Sequence, residues 1–364
     1  MKKKVKIGVA GCGLISQIMH IPNLLEMREE FEITSLCDLS VGTLKAVSEK
    51  FNVKNTFTDY SKFLKSDVEA VLIATSSVLY PDMVIEAVNN KKDVLIEKDM
   101  CFSLQAADRM IEVEKKSKAI VMVGHDRRYS PDFRKGVEEI KKMKNIKMVR
   151  IHWNGGANEF FTSHYVIDRY PGDISEDIKR ENMQSRDLQI EEALGKNPSS
   201  QLVNALCMLT GLGTHQMVMI QAGFGNPEKT LFAEISPEGW SWSAILKLPG
   251  GIPCIWTVVP TNKLADCPTT LTVYGEEEVI SIEGNSPFLK NVPMRIIIKK
   301  QEDGVYKEIL LRSSFKTSFK EELYHFYDSI ITRKKPESDL EVGKENLKAL
   351  LSIIETYRRG VISQ

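Results

Sequence analysis

No two of the six cysteines form a C-x-x-C pair; positions 12, 37, 101, 207, 254 and 267 are scattered, several inside apparently buried elements. That spacing offers no dithiol redox centre and no zinc ribbon, and it fits reduced thiols in a cytoplasm better than disulfides. Neither charge sign is in excess. With 49 Lys+Arg against 49 Asp+Glu, bulk electrostatics direct the chain to neither nucleic acid nor an anionic membrane. No apolar run reads as bilayer-spanning, and the lysines at 2, 3 and 4 lead into a strand, so neither a membrane span nor a secretory leader is expected. Internal repeats and low-complexity tracts are missing as well. A metal site has little support, because His152, Glu159, His164 and Asp168 follow no ligand spacing. What remains is a chain of 364 residues, 42% hydrophobic and 27% charged, long enough for two domains with substantial cores.

The first forty residues organise the rest. Lys4 to Ala10 (KVKIGVA) reads as a buried strand. Gly11-Cys12-Gly13-Leu14-Ile15-Ser16 follows and opens an apolar-periodic helix through Ile18, Ile21 and Leu24. Phe31 to Cys37 is a second strand, closed by Asp38. Gly11 can make the tight turn, and Gly13 lets the backbone approach a pyrophosphate. The helix beginning at Leu14 and Ile15 aims its unpaired N–H groups and positive dipole end at that anion. Asp38 lies slightly beyond the usual offset of ~20 residues, where a carboxylate can accept both ribose hydroxyls. It would repel a 2′-phosphate, so NAD is favoured over NADP. Ser16 in place of a third glycine weakens the fingerprint.

Alternating helices and strands continue to about Arg128. Val41–Phe51 and Tyr60–Leu64 read as helices, and Ala70–Ala74 as a continuous apolar strand of a sheet covered on both faces. Thr75, Ser76 and Ser77 end it at the carboxyl edge, where a nucleotide would lie. Asp93–Ile96, ending in Glu97-Lys98, and Ala119–Val123 complete a doubly wound parallel sheet over residues 1–128. Beyond it, residues 129–364 change style. Ile146–Trp153 reads as a strand, and Asn154–Gly195 as a long polar segment with little periodicity. Leu202–Ala222 reads as a helix carrying Gly211-Leu212-Gly213-Thr214-His215. Seven alternating strands between Thr230 and Leu311 predict a large, open, mostly antiparallel sheet in an α+β domain. Two closing helices, 319–332 and 342–357, are free to pack back on the first domain. Such an open sheet, with Trp240, Trp242 and Trp256 nearby, needs a cover, and a second copy of the chain is the expected one.

The stretches GVAGCGLISQIMHIPNL (Gly8–Leu24), AVLIATSS (Ala70–Ser77), VLIEKDM (Val94–Met100), GHDRRYSP (Gly124–Pro131) and GLGTHQMVM (Gly211–Met219) resemble, in this order and spacing, the Gfo/Idh/MocA oxidoreductases. That is the glucose–fructose oxidoreductase and inositol dehydrogenase group. The resemblance covers essentially the whole chain. It implies a Rossmann domain, a C-terminal open-sheet domain, a homo-dimer or tetramer through that sheet, a bound nicotinamide cofactor, and hydride transfer at a sugar or polyol carbon. Lys98 matches the lysine of the family's Glu-Lys-Pro motif, a proton acceptor for the hydroxyl, although Asp99 replaces the proline and with it the residue expected at a cis turn. His215 matches the histidine of its Asp-x-Gly-x-His motif, but the aspartate falls on Gly211. Either His215 with Lys98 suffices or another acid comes from elsewhere. Tyr80 stands where many relatives have a histidine near the nicotinamide ribose. Arg127 and Arg128 match an Arg-Arg pair, one reaching cofactor or substrate and the other pairing with an acid. Asp126 replaces the usual asparagine or methionine.

Together these readings predict an NAD-dependent, cytoplasmic dehydrogenase of a secondary hydroxyl on a sugar, glycoside or polyol. Lys98 and His215 are its acid–base residues; Arg128, Asn154, Asn158 and His164 are its candidate substrate contacts. The missing aspartate and the long polar segment resemble a divergent branch, some of whose members oxidise C3 of glucosides. Two other readings stand beside it: a redox-neutral NAD-dependent glycoside hydrolase or lyase, and a non-catalytic NAD-binding sensor.

Overall fold

The computed structural model describes residues 3–362, so Lys2 of the lysine triplet lies outside the described residues. The chain divides into two units. One comprises Met1–His125, Tyr165–Lys196 and Glu322–Lys344; the other comprises Asp126–His164, Asn197–Glu321 and Glu345–Gln364. The boundary read at residue 128 therefore falls at 125, and the chain afterwards returns twice to the first unit. The first return is held by polar bonds from Gln17, Ser40, Thr43 and Lys50, which no periodicity shows, whereas the second buries Leu323, Phe326 and Ile330, with Phe326 stacked on Phe31.

The first unit is built on six parallel strands: β1 (Val5–Ala10), β2 (Phe31–Cys37), β3 (Asn55–Phe57), β4 (Ala70–Ile73), β5 (Asp93–Glu97) and β6 (Val121–Gly124), in the order β3-β2-β1-β4-β5-β6. Every residue of β4 and β5 is buried, as expected where helices cover both faces. The three-residue β3 was not anticipated; its Asn55 and Thr56 are exposed and carry no apolar signal. Helix boundaries follow capping chemistry. Ser40 Oγ accepts from Thr43 N (3.0 Å) at the start of helix Val41–Phe51, and Asn52 ends it with φ 55°. The outer edge of β6 is closed by Ser338, whose carbonyl accepts from Val123 N (2.7 Å) and whose hydroxyl donates to Val123 O (2.7 Å).

The second unit carries eight strands: β7 (Met148–Gly155), β8 (Lys229–Ile235), β9 (Trp242–Lys247), β10 (Pro253–Pro260), β11 (Thr269–Tyr274), β12 (Glu278–Gly284), β13 (Arg295–Glu302) and β14 (Val305–Leu311). Their order is β14-β13-β12-β11-β7-β10-β9-β8, antiparallel except for the β10–β7 pair. Side chains alternate. Val149, Ile151 and Trp153 are buried on one face, while Arg150 and His152 project from the other. The covered face takes two of the three tryptophans expected to need a cover: Trp242 and Trp256 are buried in a T-shaped pair (5.4 Å, 87°), and only Trp240 is exposed. A Cβ on Gly213 would sit 3.2 Å from both indoles, so the glycine lets its helix lie against them. Fully burying a side chain of that size contributes about 3 kcal/mol or more.

The stretch read as one helix, 202–222, is two helices, Ser200–Met208 and Thr214–Phe224, joined by a wide π-type turn at Leu209–Gly213. By length and composition, Ser200–Phe224 is apolar enough to cross a membrane (mean hydropathy 1.2), contrary to the expectation from sequence. Here 61% of its most apolar 18-residue window is buried within the protein, as in a core helix. The polar run Asn154–Gly195 also contains a helix, Glu176–Leu194. Its buried residues, Gln189, Ile190 and Leu194, cluster at the C-terminal end, which hides the helical period over most of its length.

Candidate functional site

In the first unit, β1 runs into Gly11, whose φ of +92° is open to glycine and strained for any L side chain. A Cβ there would lie 2.5 Å from the carbonyl of Ala74, so the turn is pressed against the end of β4. Gly13 is different: a Cβ on it would meet nothing within 4 Å. The helical turn starting at Leu14 thus presents bare backbone to open space. Asp38, at the end of β2, is fixed by accepting from Cys12 N (2.7 Å) and Ser40 N (2.9 Å).

These elements border a groove of about 850 Å³. Gly11, Gly13, Leu14 and Ile15 line it with Asp38, Thr75 and Ser76, so the structure brings together seven of the expected cofactor contacts. The residues fit a dinucleotide. The cradle at Gly13 is one that a side chain would fill, and the acid stands where ribose hydroxyls need acceptors.

Four other expected contacts are placed otherwise. Tyr80 is buried, its hydroxyl donating to Thr75 O (3.1 Å). Burial and the charges of Glu97 and Asp99 push its ionisation well above the usual range. Glu97 is buried as well and lies 2.6 Å from His20 Nε2, while its other oxygen accepts from Lys98 N (3.1 Å). This carboxylate fixes the backbone under Lys98. The Lys98–Asp99 peptide is cis, although the proline expected there is absent, and Lys98 Nζ is 3.7 Å from Asp99 Oδ1. The fourth, Arg127, belongs to the second unit.

In that second unit Arg127 is buried, and its guanidinium donates to the Asn285 carbonyl (2.7 Å). Arg128 is half-buried, and its carbonyl accepts from Arg134 Nε (3.1 Å). His215 opens helix Thr214–Phe224, and its Nδ1 lies 3.3 Å from Asp126 Oδ1. Asp126 also accepts from Ser318 Oγ (2.9 Å). Burial alone would raise its carboxyl. The hydrogen bond and charge of His215, the charge of Arg127 and the Ser318 hydroxyl outweigh burial and hold it well below the usual carboxylate range. Asp126, eighty-nine residues before His215, thus gives the imidazole a carboxylate neighbour where Gly211 offers none. The sequence signal is an aspartate in an Arg-Arg motif that usually carries a neutral residue, but no spacing rule ties it to His215.

The proposed substrate contacts are dispersed. Asn154 Oδ1 accepts from Thr261 Oγ1 (2.9 Å), and Asn158 and His164 are exposed. Asp168 lies in the other unit, bonded to Lys50 Nζ (3.1 Å). Among the described residues no group of three or more His, Cys, Asp or Glu side chains could hold a metal. The buried thiols Cys37, Cys101 and Cys254 are each pushed by burial to about 12, so they stay protonated.

Residues 5–125 match the family model described as "Oxidoreductase family, NAD-binding Rossmann fold" (GFO_IDH_MocA). Over 138 residues the chain is 32% identical to a myo-inositol 2-dehydrogenase of Thermotoga maritima, covering 38% of this chain and 41% of that protein. The chain spans about two-fifths of the length of such curated relatives. Across nearly its whole length the fold resembles a scyllo-inositol dehydrogenase of Lactobacillus casei solved with NAD(H) and scyllo-inositol (TM-score 0.71, 16% identity, 98% of each chain). It also resembles a 3-ketoreductase of Actinomadura kijaniata solved with TDP-benzene and NADP (TM-score 0.70, 16% identity, 98% of each chain).

Proposed function

We propose that this chain, a member of the Gfo/Idh/MocA oxidoreductase family by its residues 5–125, is an NAD-dependent dehydrogenase of a secondary hydroxyl on a sugar, glycoside or polyol. One observation carries the reading. The glycine turn, Asp38 and Lys98 stand at the carboxyl ends of β1, β2 and β5 of one parallel sheet, the edge where such sheets bind ligands.

A bound nicotinamide dinucleotide supplies the hydride acceptor. Asp38 takes the hydroxyls of its ribose and disfavours a 2′-phosphate. Lys98 Nζ takes the hydroxyl proton as the C–H hydride departs, so the alcohol becomes a ketone and one proton is released. Glu97, anchored by His20, holds the Lys98 backbone in place for this step. His215 assists. Its Nδ1 lies against the Asp126 carboxylate, which orients the ring to pass a proton between substrate and solvent. The inositol dehydrogenases among the relatives support a polyhydroxylated ring as substrate. Within that class we place C3 of a glucoside first, on the resemblance to the branch lacking the motif aspartate, with Arg128, Asn158 and His164 as its contacts.

The test uses enzyme and NAD at near-stoichiometric concentration while the near-ultraviolet band of reduced nicotinamide is followed. Glucose, glucosides and inositols are added singly. A rise with one compound, reduced about 10²–10⁴-fold in rate in Lys98→Ala, is expected. Binding of NAD with no rise from any compound favours the sensor reading, and failure to bind NAD overturns both.

A further inference from the structure

The polar run expected to select substrate divides at Tyr165, and its later part lies in the dinucleotide unit. Residues 165–182 are fastened there at successive points. Asp168 N donates to Gln17 Oε1 (3.1 Å), and Gln17 Nε2 returns a bond to Asp168 O (2.8 Å). Lys50 Nζ holds Val166 O (2.6 Å) and Asp168 Oδ2 (3.1 Å). Tyr170 N donates to Thr43 Oγ1 (2.9 Å), and Tyr170 O accepts from Ser40 Oγ (2.9 Å). Asp173 Oδ2 accepts from Gly42 N (2.7 Å). These anchors sit on the helical turn after the glycines (Gln17), at Ser40, or along the helix Val41–Phe51 (Gly42, Thr43 and Lys50).

Helix Glu176–Leu194 then pins the far end. Gln189 accepts from Phe102 N (3.1 Å) and donates to Val78 O (2.8 Å), and Glu192 accepts from Ser103 Oγ. Between the two fastenings, Tyr170, Pro171, Ile174, Ile178 and Asn182 form a wall of the same groove that Gly13 and Asp38 line. The groove keeps about 850 Å³ with this wall in place, so the segment encloses the space without filling it.

We infer that residues 165–182 are a strap that completes the adenosine end of the dinucleotide site and holds the dinucleotide as a resident group. This rests on the dehydrogenase reading above and deepens it. The strap lies outside the residues matched by the family model. Its apolar members Pro171, Ile174 and Ile178 suit an adenine ring. For the dinucleotide to leave, the bonds to Lys50, Gln17 and Gly42 must open together, which makes release slow relative to an open groove.

The experiment measures release of NADH by stopped-flow fluorescence, chasing the loaded protein with excess NAD. The double variant Asp168→Ala/Asp173→Ala removes two anchors that do not line the groove. Gly42→Ala is an independent variant, because a Cβ there would lie 2.9 Å from Tyr170 Cβ and wedge the strap away. Release at least tenfold faster in either folded variant, with melting temperature retained, is the expected result. Unchanged release in both overturns the strap while leaving the dehydrogenase reading intact. A wild-type protein that binds no NADH overturns both together.

Discussion

Two glycines two positions apart in sequence, with different constraints, make the clearest residue-level prediction. Gly11 combines a φ of +92° with a contact of 2.5 Å to the Ala74 carbonyl, so Gly11→Ala costs fold stability, by about 2–4 kcal/mol. Gly13 has neither constraint. Gly13→Ala should therefore melt within a few degrees of wild type yet lose NADH binding, because its methyl occupies the space a pyrophosphate needs. Thermal melts paired with fluorescence titration separate the two. Both glycines, and their division into a turn residue and a ligand-facing one, were legible in the sequence; what packs against the turn was not. That neighbour is Ala74, sixty-three residues after Gly11.

At the scale of elements, the instructive pair is the short helix Asp126–Tyr129 and helix Thr214–Phe224, tied by Asp126 and His215. Apolar periodicity revealed most strands and helices within two or three residues, because it is a local pattern. The Asp126–His215 pair is nonlocal and polar, and no spacing rule announces it. Asp126 has its folded-state ionisation lowered relative to the ordinary 3.8. Its contribution to stability is then fully present above pH ~4 and is lost as pH falls further towards the folded value. Asp126→Asn should cost about 2 kcal/mol at neutral pH, and the difference from wild type should shrink below pH ~4 in denaturant titrations. The same variant should lower the half-reaction rate about 10²-fold through a misplaced His215. A rate unchanged at neutral pH would remove His215 from the proton path.

At the scale of the whole molecule, the uncovered face of the eight-stranded sheet sets the prediction. One register row across it reads Phe232, Ile245, Ile255, Arg150, Thr272, Ser281, Ile297 and Leu310. Apolar groups occupy both flanks of that row around a polar middle, and Phe232 and Leu310 are about half exposed. A face of this kind fits a second copy of the chain better than solvent. Ile255→Glu should shift the protein to a smaller species in sedimentation or light scattering while its melting stays cooperative. An unchanged mass would place any association elsewhere. The openness of this sheet was readable from consecutive hairpins, whereas the burial of Trp242 and Trp256 was not, since alternation alone does not say which face the helices take.

The order of synthesis gains meaning from the way the two units share the chain. Strand β6, the last of the parallel sheet, waits for Ser338 to close its outer edge, and the groove waits for the strap. A ribosome that has passed Gly124 has synthesised every strand of the parallel sheet but not the segments that complete its unit. Maturation of the nucleotide site is consequently a late event. A nascent chain arrested before residue 322 should remain protease-sensitive in its N-terminal third, and one arrested with residue 344 clear of the exit tunnel should not.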